Sequence, residues 1–249
     1  MEPNQYPPQA TEPAPSPWVI PFSIVIAGAL IGAGVYFSGT SPKSNLAGAA
    51  IPVIDSVTLR EVNSEDHILG SPNATAIIVE FSDTECPFCK QFHSTMQSVM
   101  KEYGPEGKVA WVYRQFPISA LHSRAQKEAE ATECVADLGG NAKFWEYTNI
   151  IYTRTKSNDT LDPAALPSIA KEIGIDEGKF NECLSSGKMK SKVDEDIRDG
   201  TIAGVVGPNS GTPYSILVTR SGQKIVIKGA QSLATMKSVI DAALVEEGK

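Results

Sequence analysis

The sequence predicts an α/β fold in which a mixed β-sheet is interrupted by a large helical insertion. Two observations support this prediction: apolar, β-prone runs lie on both sides of a helix-rich stretch, and the last two runs are joined by a hairpin turn. The helix-rich stretch covers about 119–206. The strand–helix–strand order before it requires a parallel pair with a crossover, whereas the hairpin after it adds an antiparallel edge.

The first half of the sheet is predicted to surround one amphipathic helix. The expected elements are, in order, a short strand at Val57–Val62, a turn at 68–73, a buried central strand at Ala76–Phe81, a helix over 90–100 and a strand at Val109–Arg114. In the helix, Phe92, Met96, Val99 and Met100 recur at helical spacing. Gly104-Pro105-Glu106-Gly107 ends it.

The insertion is predicted to hold five helical segments that end at glycines or loop residues: Ser123–Leu138, Phe144–Tyr152, Pro163–Ile173, Glu177–Ser185 and Val193–Ala203. Gly139-Gly140 is the predicted stop of the first segment. Strands then return at Tyr214–Val218 and 223–228, around a turn at Ser221-Gly222. A final amphipathic helix is expected at Leu233–Val245, with Ser232 as its cap.

Composition narrows the class of function. The 249 residues carry a formal net charge of -7 at pH 7, and the pI is near 5.1. This acidic balance gives no support to binding of nucleic acid or of an anionic membrane surface. The even count of cysteines, at 86, 89, 134 and 183, fits an oxidising compartment.

The N-terminal part of the chain divides into three segments by composition. Residues 1–17 contain six prolines and no Lys or Arg, so we expect a solvated tail. Residues 18–37 are uncharged and long enough to cross a bilayer of about 30 Å, with Trp18 and Tyr36 at the interfaces. Residues 38–50 are a Ser/Gly/Ala-rich linker, so the folded domain is expected at 51–249.

The apolar segment is predicted to be an uncleaved membrane anchor. A cleaved signal peptide is the alternative, but it would have a basic flank that this sequence lacks. Lys43 after the segment weakly favours an external N-terminus, whereas disulfide chemistry favours a catalytic domain outside the cytosol. We therefore expect the catalytic domain to lie outside the cytosol.

Cys86-Pro87-Phe88-Cys89 falls where the central strand meets the next helix. A helix N-terminus stabilises a thiolate, and the thiolate is the nucleophile of disulfide exchange. Cys86 is therefore expected to be accessible and reactive, and Cys89 to be the deeper resolving thiol. The alternatives are two core cysteines or half of a zinc site. His93 would add a third ligand, but three ligands are few, and we expect no metal.

The segment Glu80–Lys90 resembles the active-site segment of thioredoxin-fold proteins. The helical insertion, together with Gly211-Thr212-Pro213 just before a strand, resembles the DsbA-like disulfide oxidoreductases over about residues 60–246. The resemblance implies that Cys86 is the attacking cysteine of disulfide exchange and that Cys89 is its buried partner. It implies that Pro213 is a cis-proline that faces this pair. It also implies that the Thr212 backbone pairs with an extended substrate beside Pro87 and Phe88.

Two further features follow from this resemblance. Glu80 matches a buried acid below the active site, whose raised pKa would let it relay a proton from Cys89; the alternative is an edge residue paired with Arg114. Phe88 stands where the most oxidising members carry a histidine, so a weaker stabilisation of the Cys86 thiolate is expected.

Cys134 and Cys183 both fall on predicted helices of the insertion. We expect a structural disulfide between them, and the alternative is two free buried thiols.

The expected function is that of a membrane-anchored, extracytoplasmic thiol:disulfide oxidoreductase. It would form disulfides in exported proteins through Cys86 and Cys89, without a cofactor, and a membrane redox partner would reoxidise it. A reductase or isomerase is the alternative enzyme. A metallochaperone or a peptide-binding module is the alternative without catalysis.

Overall fold

A computed structural model describes residues 57–207 and 210–248 of the chain. The predicted tail at 1–17, membrane anchor at 18–37 and linker at 38–50 lie outside the described residues. Within residues 57–207 and 210–248, no helix combines the length and the apolar character that a membrane crossing requires.

Five strands form one mixed sheet in the order β1-β3-β2-β4-β5. Their bounds are β1 His67–Leu69, β2 Ala76–Ser82, β3 Val109–Gln115, β4 Tyr214–Thr219 and β5 Lys224–Lys228. Strand β2 is central and pairs with β3 in parallel, while every other pair is antiparallel. The predicted mixed sheet is therefore confirmed.

Helix α1, Pro87–Tyr103, makes the crossover between the two parallel strands. Its apolar residues Phe92 and Met96 are fully buried in one core with Trp111 of β3 and Met236 of the last helix. The sheet can bury this face because successive side chains of a strand alternate between its two faces. On the other face, Val79 and Phe81 of β2 form a second core.

The helical insertion begins after β3 and ends before β4, as predicted. Its helices are α2 Ala125–Arg154, α3 Ala165–Glu172, α4 Glu177–Ser186 and α5 Lys190–Ala203, and α6, Leu233–Glu246, closes the described chain. Gly140, at φ 79°, breaks α2 into two helices, where Gly139-Gly140 predicted a stop. Ser232 Oγ accepts from Thr235 N at 3.1 Å and caps α6.

The start of the sheet differs from the prediction. Residues 57–62 form no strand. The first strand is instead β1, which overlaps the start of the stretch expected to be a turn at 68–73. The backbone of Arg60 is hydrogen-bonded to side chains. Its N–H donates to Asp199 Oδ1 at 2.9 Å, and its carbonyl oxygen accepts from the Arg114 guanidinium at 3.2 Å. Those bonds replace the pairing that a strand would need.

Arg114, at the end of β3, is fully buried and ion-paired. Its Nε lies 2.9 Å from Asp66 Oδ1, and its Nη1 also contacts the carboxylate of Asp199 on α5. The guanidinium therefore joins the segment before β1, the sheet and α5.

Candidate active site

The turn between β2 and α1 carries the motif Cys86-Pro87-Phe88-Cys89. Cys86 caps the helix with an extended backbone, at φ -77° and ψ 123°, and Pro87 is the first helical residue. The Cys86 carbonyl accepts from Lys90 N at 3.0 Å, and its amide donates to Asp83 O at 3.1 Å. Cys86 therefore stands at the positive end of the helix dipole, and Cys89 lies in the first turn.

The two thiols are both free and differ slightly in burial. Cys86 keeps 5% of its surface exposed, Cys89 keeps none, and Phe88 between them is 61% exposed. Cys86 is thus more enclosed than expected, because its thiol faces the carbonyl oxygen of Thr212 at 3.5 Å. Phe88 is the exposed side chain of the motif.

The environment separates the acidities of the two thiols. The hydrogen bond from the Cys89 thiol lowers the pKa of Cys86 to about 6, against the effect of burial and with help from the N–H groups of Cys89 and Phe88. Burial, the bond to Cys86 and the charge of Cys86 raise the pKa of Cys89 well above its ordinary value. Cys86 is therefore the thiolate, and Cys89 holds the proton.

Glu80 lies on β2, fully buried, on the sheet face covered by α1. Its Oε2 accepts a hydrogen bond from the indole of Trp111 at 2.9 Å, while its Oε1 has no partner among the described residues. Burial raises the pKa of Glu80 to about 7, although the nearby Ser82 hydroxyl and the hydrogen bond from Trp111 oppose the shift. The alternative pairing with Arg114 is wrong, because Arg114 binds Asp66 and Asp199.

The loop before β4 faces the motif from the other side. The Thr212–Pro213 peptide bond is cis, and Pro213 O accepts from Gly229 N at 2.9 Å. Next to it is an open cavity of about 280 Å³ lined by Ser210, Gly211, Thr212, Lys228 and Gly229. The cavity gives an approach to Thr212 beside the cysteine pair.

A row of hydroxyl groups lies below the cysteines. Tyr152 OH is 3.0 Å from Ser82 Oγ and 2.9 Å from Tyr113 OH. The His93 ring stacks on Tyr152 with centroids 4.4 Å apart, and its Nε2 is 2.7 Å from Asn149 Oδ1. Within the part of the chain that the structure describes, no group of three His, Cys, Asp or Glu side chains is arranged so that it could hold a metal ion.

A left-handed turn at 157–159 ties the insertion to the active-site turn. Ser157, Asn158 and Asp159 all have positive φ, between 55° and 68°. Asn158 N donates to Glu85 O at 2.8 Å, directly before Cys86. Asp159 accepts from Ser123 N and Arg124 N, both at 2.9 Å, at the start of α2.

Asp83 and His122 are site residues that the sequence analysis missed. His122 Nδ1 lies 2.9 Å from Asp83 Oδ2, and both side chains are buried. Asp83 could have been found from the sequence, because it lies three residues before Cys86 and Asp is a residue type that often holds a turn. His122 lies 39 positions away from Asp83, so nothing local in the sequence indicated it.

Cys134 and Cys183 lie in the insertion, apart from the motif. Their sulfurs are bonded at 2.05 Å and join α2 to α4. The structure thus brings Cys86, Cys89, Glu80, Thr212 and Pro213 to one site and keeps this disulfide separate.

The fold and the site together define the class. A thioredoxin-like sheet with a helical insertion, and two free thiols at a helix start facing a cis-proline, are the features of a thiol:disulfide oxidoreductase. A family model described as Thioredoxin matches residues 62–242, and the chain belongs to that family.

Solved structures confirm the expected DsbA-like fold. The chain is similar to BdbD from Bacillus subtilis, with a TM-score of 0.64, 21% identity, and 76% of this chain and 98% of that chain covered. For Wolbachia pipientis alpha-DsbA1 the values are 0.62, 21%, 74% and 96%. For Pseudomonas aeruginosa DsbA2 they are 0.61, 22%, 73% and 96%.

Curated relatives are longer proteins. The chain is 29% identical over 203 residues to Na(+)/H(+) antiporter NhaA 3 of Salinispora tropica, which covers 82% of this chain and 29% of the antiporter. It is 32% identical over 144 residues to NhaA 1 of Mycolicibacterium gilvum, which covers 57% of this chain and 22% of the antiporter. The chain therefore spans less than a third of the length of these relatives.

Proposed function

We propose that the chain forms disulfides in exported proteins, as a membrane-anchored enzyme whose catalytic domain lies outside the cytosol. The observation that carries the proposal is the unequal pair of thiols. Because the pKa of Cys86 is lowered to about 6, its reduced form is stabilised as a thiolate near neutral pH. A stabilised reduced form makes a dithiol pair a stronger oxidant.

The reaction starts from the oxidised pair, in which Cys86 and Cys89 share a disulfide. A substrate thiolate attacks the Cys86 sulfur, the S–S bond breaks, and Cys89 leaves with the electron pair. Glu80, whose pKa is about 7, is placed on the buried side of the site to pass a proton to Cys89. The enzyme and the substrate are then joined by one mixed disulfide.

A second substrate thiolate attacks the substrate sulfur of that mixed disulfide. Cys86 leaves as a thiolate, and the substrate is released with its own disulfide. Two electrons have passed to the enzyme. Of the two protons released by the substrate thiols, one restores the proton that Glu80 gave to Cys89, and the other goes to solvent. Reoxidation requires an electron acceptor, for which we propose a redox partner in the membrane.

Substrate binding is proposed at the edge formed by Thr212. An extended segment would pair with the backbone there, beside the cavity at Gly211 and Lys228. Phe88, which is mostly exposed, offers an apolar contact next to Cys86. These contacts select unfolded or extended segments rather than one particular sequence.

Three features support the proposed location. Residues 18–37 have the length and composition of a membrane span. The Cys134–Cys183 bond fits an oxidising compartment. The curated relatives carry the similar segment within proteins named as Na(+)/H(+) antiporters.

The test is the reduction potential of the full chain, equilibrated against glutathione. A value near about -120 mV supports an oxidant, and a value near about -270 mV points to a reductase and overturns the proposed direction. Cys89→Ser should accumulate mixed disulfides with substrate proteins, while Cys86→Ser should trap none. A binding module would trap nothing with either variant.

A further inference from the structure

His122 is a buried imidazole held against the active-site turn. It comes from the loop between β3 and α2, and its Nδ1 lies 2.9 Å from Asp83 Oδ2. A hydrogen bond of this length to a carboxylate fixes the orientation of the ring and favours its charged form.

The Asp83 carboxylate holds the turn that leads to the cysteines. Its Oδ1 accepts from Glu85 N at 2.8 Å, and its Oδ2 accepts from Ile118 N at 2.7 Å as well as facing His122. Asp83 is therefore a fixed anion with three donors, and the His122 ring is fastened to the same turn.

The backbone of Asp83 contacts both cysteines. Its carbonyl accepts from Cys86 N at 3.1 Å, and its N–H points at the Cys89 sulfur at 3.5 Å. A change in the charge of the Asp83–His122 pair therefore occurs close to the two cysteines that carry out the exchange.

The motif itself supplies no cation. Pro87 and Phe88 are uncharged, and the ammonium group of Lys90 binds the carbonyl of Thr155. An anion at Asp83 would oppose a thiolate at Cys86, and a positive charge held against Asp83 would offset that opposition.

We propose that His122, fixed by Asp83, is a positioning residue that supplies this positive charge, so that the oxidising strength of the pair falls as the ring loses its proton. The inference rests on the proposed function and names a control of the same site. The charge of the ring adds to the hydrogen bond from the Cys89 thiol and to the N–H groups that stabilise the Cys86 thiolate.

The charged groups that face the ring are Asp83, Cys86 and Asp159. Burial opposes the imidazolium, but the hydrogen bond and charge of Asp83, with the charges of Cys86 and Asp159, outweigh it and raise the pKa of His122 above its ordinary value. A thiolate at Cys86 therefore favours the protonated form of the ring. No proton moves from His122 in that step; its charge balances the electron pair that Cys86 receives from the broken S–S bond.

The first test compares His122→Gln with the wild-type chain. Glutamine keeps a hydrogen-bond donor for Asp83 and removes the charge. Thiolate absorbance of the reduced full chain, followed against pH, should show the pKa of Cys86 raised by about one unit, which corresponds to a pair about tenfold, or about 30 mV, more reducing.

His67→Gln is the matched control. His67 is also a buried histidine paired with a carboxylate, with its Nε2 at 2.8 Å from Glu133 Oε2, but it lies on β1 away from the motif. It should leave the titration of Cys86 unchanged. Equal shifts in the two variants, or no shift in His122→Gln, overturn the proposal.

A reciprocal measurement needs no change at His122. Because coupling between two groups is mutual, the pKa of the His122 ring must be higher in the reduced wild-type chain than in Cys86→Ser, where the thiolate is absent. Nuclear magnetic resonance of the imidazole protons measures both. Identical titrations overturn the inference even where His122→Gln does not fold.

The outcomes separate this inference from the proposed function. A wild-type chain with an oxidising potential and unchanged thiolate titration in His122→Gln overturns only the role of His122. A wild-type chain in the reducing range, with a shifted titration in His122→Gln, overturns only the proposed direction of electron flow.

Discussion

The indole N–H of Trp111 donates to Glu80 Oε2 at 2.9 Å, from the strand that pairs with β2 in parallel. This bond favours the charged carboxylate, while burial favours the neutral acid and raises the pKa of Glu80 to about 7. Trp111 therefore holds Glu80 within the range in which a carboxyl group can exchange a proton near neutral pH.

Replacing Trp111 with Phe removes the donor and should raise the pKa of Glu80 by about one to two units, since a hydrogen bond to a charged group contributes about 1.5–3 kcal/mol. The pH profile of exchange at Cys89 should move in the same direction. Infrared difference spectra of the Glu80 carboxyl group measure the shift.

Trp145→Phe is the control for the loss of an indole. Trp145 packs against Trp111 with centroids 4.6 Å apart, but its Nε1 has no hydrogen-bond partner in the described part of the chain. It should leave the titration of Glu80 in place. A profile that moves equally in both variants contradicts the role given to the Trp111 bond.

Glu80 should also make the stability of the fold depend on pH. Its pKa is raised from an ordinary 4.5 to about 7, so its contribution is fully present below pH 4.5 and is lost as the pH rises through 7. The loss amounts to about 3 kcal/mol for a shift of this size.

Glu80→Gln removes that dependence because the amide stays neutral. The oxidised wild-type chain should therefore lose stability relative to Glu80→Gln between pH 5 and pH 8. Urea unfolding should show this loss as a fall of about 3 kcal/mol in the free energy of unfolding. Parallel stability curves for the two proteins would show that the carboxyl group does not titrate in this range.

Much of the site was predictable because it is local in sequence. A buried strand, a turn and an amphipathic helix predict where Cys86 and Cys89 lie, and Gly139-Gly140 predicts the break in α2. His122 was not predictable, since its contact with Asp83 depends on how a distant loop folds back over the turn.

The misplaced first strand has a similar cause. Residues 57–62 include the apolar residues Val57, Leu59 and Val62, which predict a strand. The backbone of Arg60 is instead bonded to the side chains of Arg114 and Asp199. Strand β1 has only three residues and exists because β3 offers it partners, from His67 opposite Tyr113 to Leu69 opposite Trp111. Tertiary contacts override local preference in both places.

Arg114→Met should destabilise the fold strongly. It leaves the buried carboxylates of Asp66 and Asp199 without their cation, and breaking a buried ion pair costs about 3–5 kcal/mol. Arg154→Met removes a comparable side chain from an exposed pair with Glu172, which contributes at most about 1 kcal/mol. Chemical unfolding of both variants tests the contrast, and equal losses would contradict it.

The disulfide of the insertion should act on stability and not on exchange. Its cysteines are 49 positions apart, and the loop-entropy model gives about 4 kcal/mol for a closure of that length. Cys134→Ala with Cys183→Ala should lower the free energy of unfolding by that order. The potential of Cys86 and Cys89 should stay unchanged, and a shifted potential would show that the second disulfide belongs to the redox site.

The left-handed turn at 157–159 has a mechanical consequence. Its hydrogen bonds join Glu85, directly before Cys86, to Ser123 and Arg124, directly before α2. This hydrogen-bonded seam connects the insertion to the active-site turn in addition to the covalent connections between the insertion and the sheet. Hinge motion between them would have to open this seam and expose the buried Glu85. A displacement of the insertion relative to the sheet would therefore also move the catalytic turn.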